Sequence, residues 1–229
     1  FCAGELVLTD ATTAEMTKLT ENSFRDLNIA FANELALVCD RAGVDVWELI
    51  DLANRHPRVS ILHPGPGVGG HCIAVDPWFL VSSAPEETRL IRTARQVNDS
   101  RPAYYVGRIL QALEGLVSPT VAVLGLTFKA DVDDLRQSPA LAITEQVAAG
   151  APHARVLVAE PRADALPPSL ARWTNVRLTG CRQAVEQADV VVVLVSHQEF
   201  SDLDPLLLKG RTVIDATGLW RRLSPLLAG

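Results

Sequence analysis

The sequence contains no C-x-x-C pair, no long basic run and no apolar stretch of membrane-spanning length. Each absence excludes a class. Cys2, Cys39, Cys72 and Cys181 are widely spaced, which argues against a disulfide framework or a thiolate zinc site; reduced thiols and a cytoplasmic location are the expectation. The five histidines include no H-x-x-x-H spacing, so no metal site is expected. A net charge of −6 without a basic cluster speaks against a nucleic-acid surface. The longest apolar runs, such as VVVVLV at 190–195, are strand-sized, and no membrane anchor is expected. The chain starts at Phe1, and FCAGELVLTD has neither a basic n-region nor a long apolar h-region, which predicts a piece of a longer protein rather than a secretory leader.

What is present divides into two textures. Over 9–113, apolar residues recur every three or four positions, through EMTKLTENSFRDLNIAFANELALVCDRAG and again through TRLIRTARQVNDSRPAYYVGRILQAL. The first predicts a long helix ending at Gly43, and Pro102 is expected to kink or divide the second. From Pro119 the runs TVAVLGL, ARVLVAE, NVRLT, DVVVVLVS and RTVIDAT read as buried parallel strands, with Ser138-Pro139 capping the helix ALAITEQVAAG. The expected architecture is α/β. An all-helical region over 1–115 precedes a doubly wound parallel-sheet domain over 116–229.

The segment GPGVGGHCIAVDPWF, 65–79, admits two readings. Gly65, Gly67 and Gly70 have the spacing of a dinucleotide fingerprint, but NRHPRVSILHP makes a poor strand before them and helical segments flank them. Read instead as a nucleophile loop, its glycines allow close backbone approach, Cys72 supplies a thiol, and Asp76-Pro77 forms an N-cap and first-turn proline for a short helix. The bland alternative makes Cys72 a small buried hydrophobe and Asp76 only a cap. On the long helix Lys18 and Asn22 share a face, and Asn22, Asn28 and Asn33 are poor helix formers that suggest tertiary or ligand roles. The alternative there is a solvated polar face.

In order and spacing, KLTENSFRDLNIAFANE, GVGGHCIAVDPWF and VLGLTFKADVDDLRQSP resemble the UDP-glucose/GDP-mannose dehydrogenase family. HCIAVDPWF is most similar to its branch acting on UDP-N-acetyl-D-mannosamine. The resemblance implies NAD-dependent oxidation of a nucleotide-sugar primary alcohol to a uronic acid. It covers a central helical domain that forms a homodimer and a Rossmann-like domain that binds the UDP-sugar substrate. The family's N-terminal NAD-binding domain has no counterpart here, so NAD is expected to be held mainly outside this chain.

Residue roles follow from that resemblance. Cys72 matches the thiol that forms a thiohemiacetal and then a thioester. Lys18 matches the cation that stabilises charge on the reacting oxygen, a role that requires partial desolvation; Asn22 positions that oxygen or a water, and Asp76 activates the hydrolytic water. Arg58, Ile61, Leu62, His63 and Gly69 fall in the substrate loop, and Phe128 and Lys129 at C-terminal substrate positions. Arg136 matches an arginine on the cofactor phosphates, with a surface ion pair to Asp133 or Asp134 as its alternative. A non-catalytic nucleotide-sugar-binding module and a cysteine hydrolase are the competing functions.

Overall fold

A computed structural model describes residues 4–221; Cys2 lies outside them. The helical part consists of α1 (Ala11–Ala42), α2 (Val46–Ala53), α3 (Asp76–Ser83) and α4 (Arg89–Leu113). α1 starts where the Asp10 carboxylate accepts from the Thr13 N–H at 2.9 Å. It stops at Gly43, whose φ of 67° lies in the left-handed region that side chains disfavour. No helix among the described residues is long and apolar enough to cross a membrane.

Two details of the helices need correction. Of the two alternatives for Pro102, division does not occur: α4 runs through it as one helix. Its ring packs where Gly67 has no side chain: a Cβ there would lie 3.4 Å from Pro102 Cδ. Asp76 and Pro77 stand one position further inside α3 than expected, because the Val75 and Asp76 N–H groups both donate to the Cys72 carbonyl, at 3.0 and 2.8 Å. The turn is therefore already wound before Asp76, and no side chain caps the helix.

The second part alternates β1 (Thr120–Leu124), α5 (Pro139–Gly150), β2 (Arg155–Ala159), α6 (Pro168–Ala171), β3 (Val176–Leu178), α7 (Cys181–Gln187), β4 (Val190–Val193), α8 (Gln198–Ser201) and β5 (Thr212–Asp215). All pairings are parallel, in the order β3-β2-β1-β4-β5. Both faces are covered, which explains the unalternating valines. Val121, Val123, Val156 and Val192 pack with Ile143 and Val147 of α5 on one side, while Leu124, Val191 and Val193 pack with Val185 and Phe200 on the other.

Tyr105, Ile109 and Leu113, from the second half of α4, belong to the first of these cores. The first half of α4 joins α1 through buried Arg95 and Asn98. One helix thus sets the spacing between the loop 54–75 and the sheet. The crevice of this strand order lies where connections leave in opposite directions, at the carboxyl ends of β1 and β4.

Candidate active site

Lys18 and Asn22 lie one turn apart on α1, with Lys18 Nζ 3.5 Å from Asn22 Oδ1. Asn22, buried at 3% exposure, donates from Nδ2 to Asp76 Oδ2 at 2.5 Å. Cys72 is exposed and connects to Asp76 through its carbonyl, which accepts the Asp76 N–H. The fold therefore gathers Lys18, Asn22 and Asp76 into one chain of contacts and sets Cys72 one turn before Asp76. Lys18 keeps 63% of its side chain exposed and pairs with Glu21 at 3.3 Å, so the described residues do not supply the desolvation its expected role requires.

The loop from residue 54 to residue 65 is held by asparagines. Asn54 accepts the Ile61 N–H at 2.7 Å and donates to the Ile61 carbonyl at 2.9 Å. Asn28 accepts the Leu62 N–H and donates to the Ser60 carbonyl, both at 2.8 Å. Asn33 accepts the Gly65 N–H at 2.9 Å. All three asparagines flagged on α1 thus have tertiary partners, two of them on this loop. His63 meets Trp47 edge-on, with ring centroids 5.4 Å apart, and Arg58 is exposed.

The glycines beyond have a packing reason. A Cβ on Gly69 would stand 2.5 Å from the Gln137 carbonyl oxygen and 3.0 Å from Phe128 Cβ; one on Gly70, at φ 82°, would press on the Phe128 ring at 3.0 Å. Gly65 has nothing within 4 Å and no unusual φ. The first glycine of the apparent fingerprint is therefore sterically free; Gly67 makes room for Pro139 and Pro102, and Gly69 and Gly70 admit Phe128 against the loop. Neither a strand before the loop nor a helix opening at Gly70 is present. Phe128 and Gly69, both expected at substrate, touch each other across this seam, whereas Lys129 is exposed.

Sequence reasoning missed the cluster at the end of β1. The Glu160 carboxylate, 5% exposed, accepts the N–H groups of Leu126 and Thr127 at 2.7 and 3.2 Å and that of Arg162 at 2.9 Å. Burial works to raise its pKa, but the hydrogen bonds from His197 and from these N–H groups outweigh it and hold Glu160 below the ordinary glutamate value. Fully buried His197 accepts the Asp131 N–H on Nδ1 at 3.1 Å, so its proton sits on Nε2, 3.2 Å from both Glu160 and the Thr127 hydroxyl. The signal was an acidic residue closing the second strand, in ARVLVAE.

This cluster decides the fit of a dinucleotide. In a dinucleotide-binding domain the first strand-to-helix turn offers its N–H groups to pyrophosphate. Here the protein's own carboxylate takes them, so the described residues do not fit such a cofactor at this sheet. Arg136 has Nε and Nη2 committed to Asp134, 3.0 and 2.7 Å away. Chiefly by that hydrogen bonding, Asp134 is pulled down to about 2. Asp131, His197 and Glu199 bring possible ligand atoms within 4.8 Å of one another, but Arg162 bonds both carboxylates, at 3.4 and 3.0 Å, where a cation would sit.

Comparison with known proteins follows the same division. Residues 12–100 match the central domain of the UDP-glucose/GDP-mannose dehydrogenase family and residues 122–222 its UDP binding domain. An NDP-N-acetyl-D-galactosaminuronic acid dehydrogenase of Ralstonia nicotianae is 56% identical over 96% of this chain and 51% of its own length. A UDP-N-acetyl-D-mannosamine dehydrogenase of Campylobacter jejuni is 55% identical over 89% of this chain and 50% of its own. The solved structure of a UDP-D-ManNAc dehydrogenase from Pyrococcus horikoshii superposes with a TM-score of 0.81 at 41% identity, covering 96% of this chain and 51% of that one. The chain spans about half the length of the curated relatives it matches. Three ordered motifs, two domain matches and the shared fold agree: the chain belongs to the UDP-glucose/GDP-mannose dehydrogenase family.

Proposed function

We propose that this chain is the thiol-bearing and nucleotide-sugar-binding half of an NAD-dependent dehydrogenase that oxidises the C6 alcohol of a UDP-N-acetylhexosamine, UDP-N-acetyl-D-mannosamine first, to the carboxylate. NAD⁺, for which the described residues offer no dinucleotide cradle, would take up the two hydrides of the overall oxidation. The observation that carries the reading is the Asn22–Asp76 bond, which brings two motifs 54 residues apart into one site beside Cys72. A binding module has no need of that set.

Cys72 Sγ adds to the aldehyde carbon, giving a thiohemiacetal and later a thioester, because a thiolate adduct can be oxidised and its acyl group released to water. Asp76 takes the proton of the hydrolytic water, and Asn22, fixed by Asp76, presents its amide to the reacting oxygen. Lys18 supplies the positive charge near that oxygen, a contribution of ~10²–10³-fold for a single donor. It does so once the rest of the enzyme or the substrate covers it. Ile61, Leu62, His63, Arg58, Gly69, Phe128 and Lys129 are the proposed substrate contacts, the first three presented by a loop whose backbone is pinned. Arg136 reaches cofactor phosphate by exchanging Asp134 for it. The helical region is the proposed homodimer interface, and the cytoplasm the proposed location.

A second substrate is specifically favoured. Relatives at 56% identity carry the name of an N-acetylgalactosaminuronic acid dehydrogenase, so the galactosamine class, which differs from the mannosamine one at both C2 and C4, stands beside it. NADH production by the full-length protein against UDP-N-acetylmannosamine, UDP-N-acetylgalactosamine, UDP-N-acetylglucosamine, UDP-glucose and GDP-mannose separates them. The proposal expects turnover on an N-acetylhexosamine, abolished by Cys72→Ser. Turnover confined to UDP-glucose or GDP-mannose, or uronate formation by Cys72→Ser at the wild-type rate, contradicts it.

A further inference from the structure

We infer that Arg101, together with Asn33, is a positioning residue that fixes the backbone of Gly65 and through it the placement of the Cys72 thiol. What the thiol does rests on the dehydrogenase reading; what the arginine holds rests on geometry alone.

Arg101 is buried at 2% exposure, yet no carboxylate of the described residues lies within ion-pair distance of it. Arg95, equally buried on the same helix, has both Asp26 and Asp99. The guanidinium of Arg101 lies instead 4.6 Å from the Tyr104 ring centroid and 5.0 Å from that of Tyr105. It donates to the Tyr105 hydroxyl at 3.1 Å, to the Asn33 carbonyl at 3.5 Å and, from Nε, to the Gly65 carbonyl at 3.2 Å. A buried charge without a counter-charge is a poor device for stability, since an apolar side chain of similar volume serves as well or better. Its distinctive act is to hold Gly65.

Asn33, fully buried, holds the other side of that residue through the Gly65 N–H. Asn33 is itself oriented by Asn98, which accepts from its Nδ2 at 2.9 Å and donates to Asp26. Both backbone polar groups of Gly65 are thus gripped by buried side chains from two helices. Gly65 has room for a Cβ, so its backbone path is what the grip fixes. Pro102, next to Arg101, bears on the same loop at Gly67. Upstream, Ile61 and Leu62 are held independently by Asn54 and Asn28. Releasing Arg101 therefore loosens the stretch that leads to Cys72 and spares the proposed substrate contacts before it.

The full-length enzyme carrying Arg101→Met tests this. Cooperative unfolding should persist, while amide exchange over 65–70 accelerates about tenfold or more and exchange at 61–62 and in α5 stays as in wild type. Alkylation of Cys72 by iodoacetamide, read by peptide mapping, should change in rate. On the nucleotide sugar that wild type oxidises, kcat should fall ~10²-fold, with a much smaller rise in KM through Gly69, the one proposed substrate contact inside the loosened stretch. Arg101→Lys should recover part of each loss, since it keeps the charge without the fork. Unchanged exchange and alkylation in Arg101→Met overturn the inference whatever the substrate. If Arg101→Met does not fold, the same two readings on Arg101→Lys against wild type decide. Loosening without any NAD⁺ reduction by wild type on any nucleotide sugar supports the clamp and defeats the dehydrogenase reading.

Discussion

Asn22 Nδ2 and Asp76 Oδ2 stand 2.5 Å apart, a donor on α1 meeting a carboxylate at the first position of α3. Replacing the donor by a second carboxylate, Asn22→Asp, puts two acids at one site, so the pKa of one of them rises. A carboxyl whose folded pKa is raised stabilises the fold below its unfolded value and loses that contribution as pH rises through the folded pKa. The thermal midpoint of Asn22→Asp should therefore fall well below wild type at pH 7 and approach it near pH 5. A deficit that is the same at both pH values would show that the two groups do not meet.

The glycines give a second test, which separates packing from a cofactor fingerprint. Gly65→Ala should be tolerated, within about 0.5 kcal/mol in stability, because the site is open and φ is ordinary. Gly69→Ala drives a Cβ to 2.5 Å from the Gln137 carbonyl oxygen and should cost about 1–3 kcal/mol, with activity lost. Urea denaturation of both variants reads this. A more damaging change at Gly65 than at Gly69 would reverse the assignment.

The way these glycines work also marks how far the sequence could be read. Parallel strands, the Ser138 cap and the Gly43 stop were legible because each is a local signal, a valine run or a single residue at a helix end. Lys18, Asn22, Cys72 and Asp76 read as a proposed set only through family motifs, while the contact between Asn22 and Asp76 is tertiary. Gly69 and Phe128 read as ligand contacts, whereas their mutual packing depends on how α4 spaces the loop from the sheet. Arg101 gave no signal, because a lone arginine in a helical pattern reads as surface until its burial is seen.

Glu160 predicts an acid response. Its folded pKa is lowered by hydrogen bonds to the carboxylate, so its contribution is present above the unfolded glutamate pKa and lost as pH falls through the folded one. Glu160→Gln should cost about 1–3 kcal/mol at pH 7, since an amide NH₂ then faces an N–H donor. The deficit should shrink below about pH 4, where wild type loses the same contribution. Denaturant midpoints from pH 7 to 3 measure it. A deficit that stays constant over that range would count against the carboxylate as the turn's acceptor.

α1 leaves Phe24, Phe31 and Val38 exposed at 65%, 48% and 62%, seven residues apart on one stripe. A second copy of the chain is the proposed cover. Sedimentation at micromolar concentration should give a dimer, and the double substitution Phe24→Glu with Phe31→Glu a monomer that still folds. A wild-type monomer would contradict the proposal.

The central claim is that this chain holds the nucleotide sugar and the thiol but not the dinucleotide. Calorimetric titration of the 229-residue chain tests it most directly. The account predicts saturable heat with a UDP-N-acetylhexosamine, no saturable heat with NAD⁺ and no NADH when both are present. Micromolar NAD⁺ binding would contradict it, returning the glycines at 65, 67 and 70, or the turn closed by Glu160, to the role of a cofactor site.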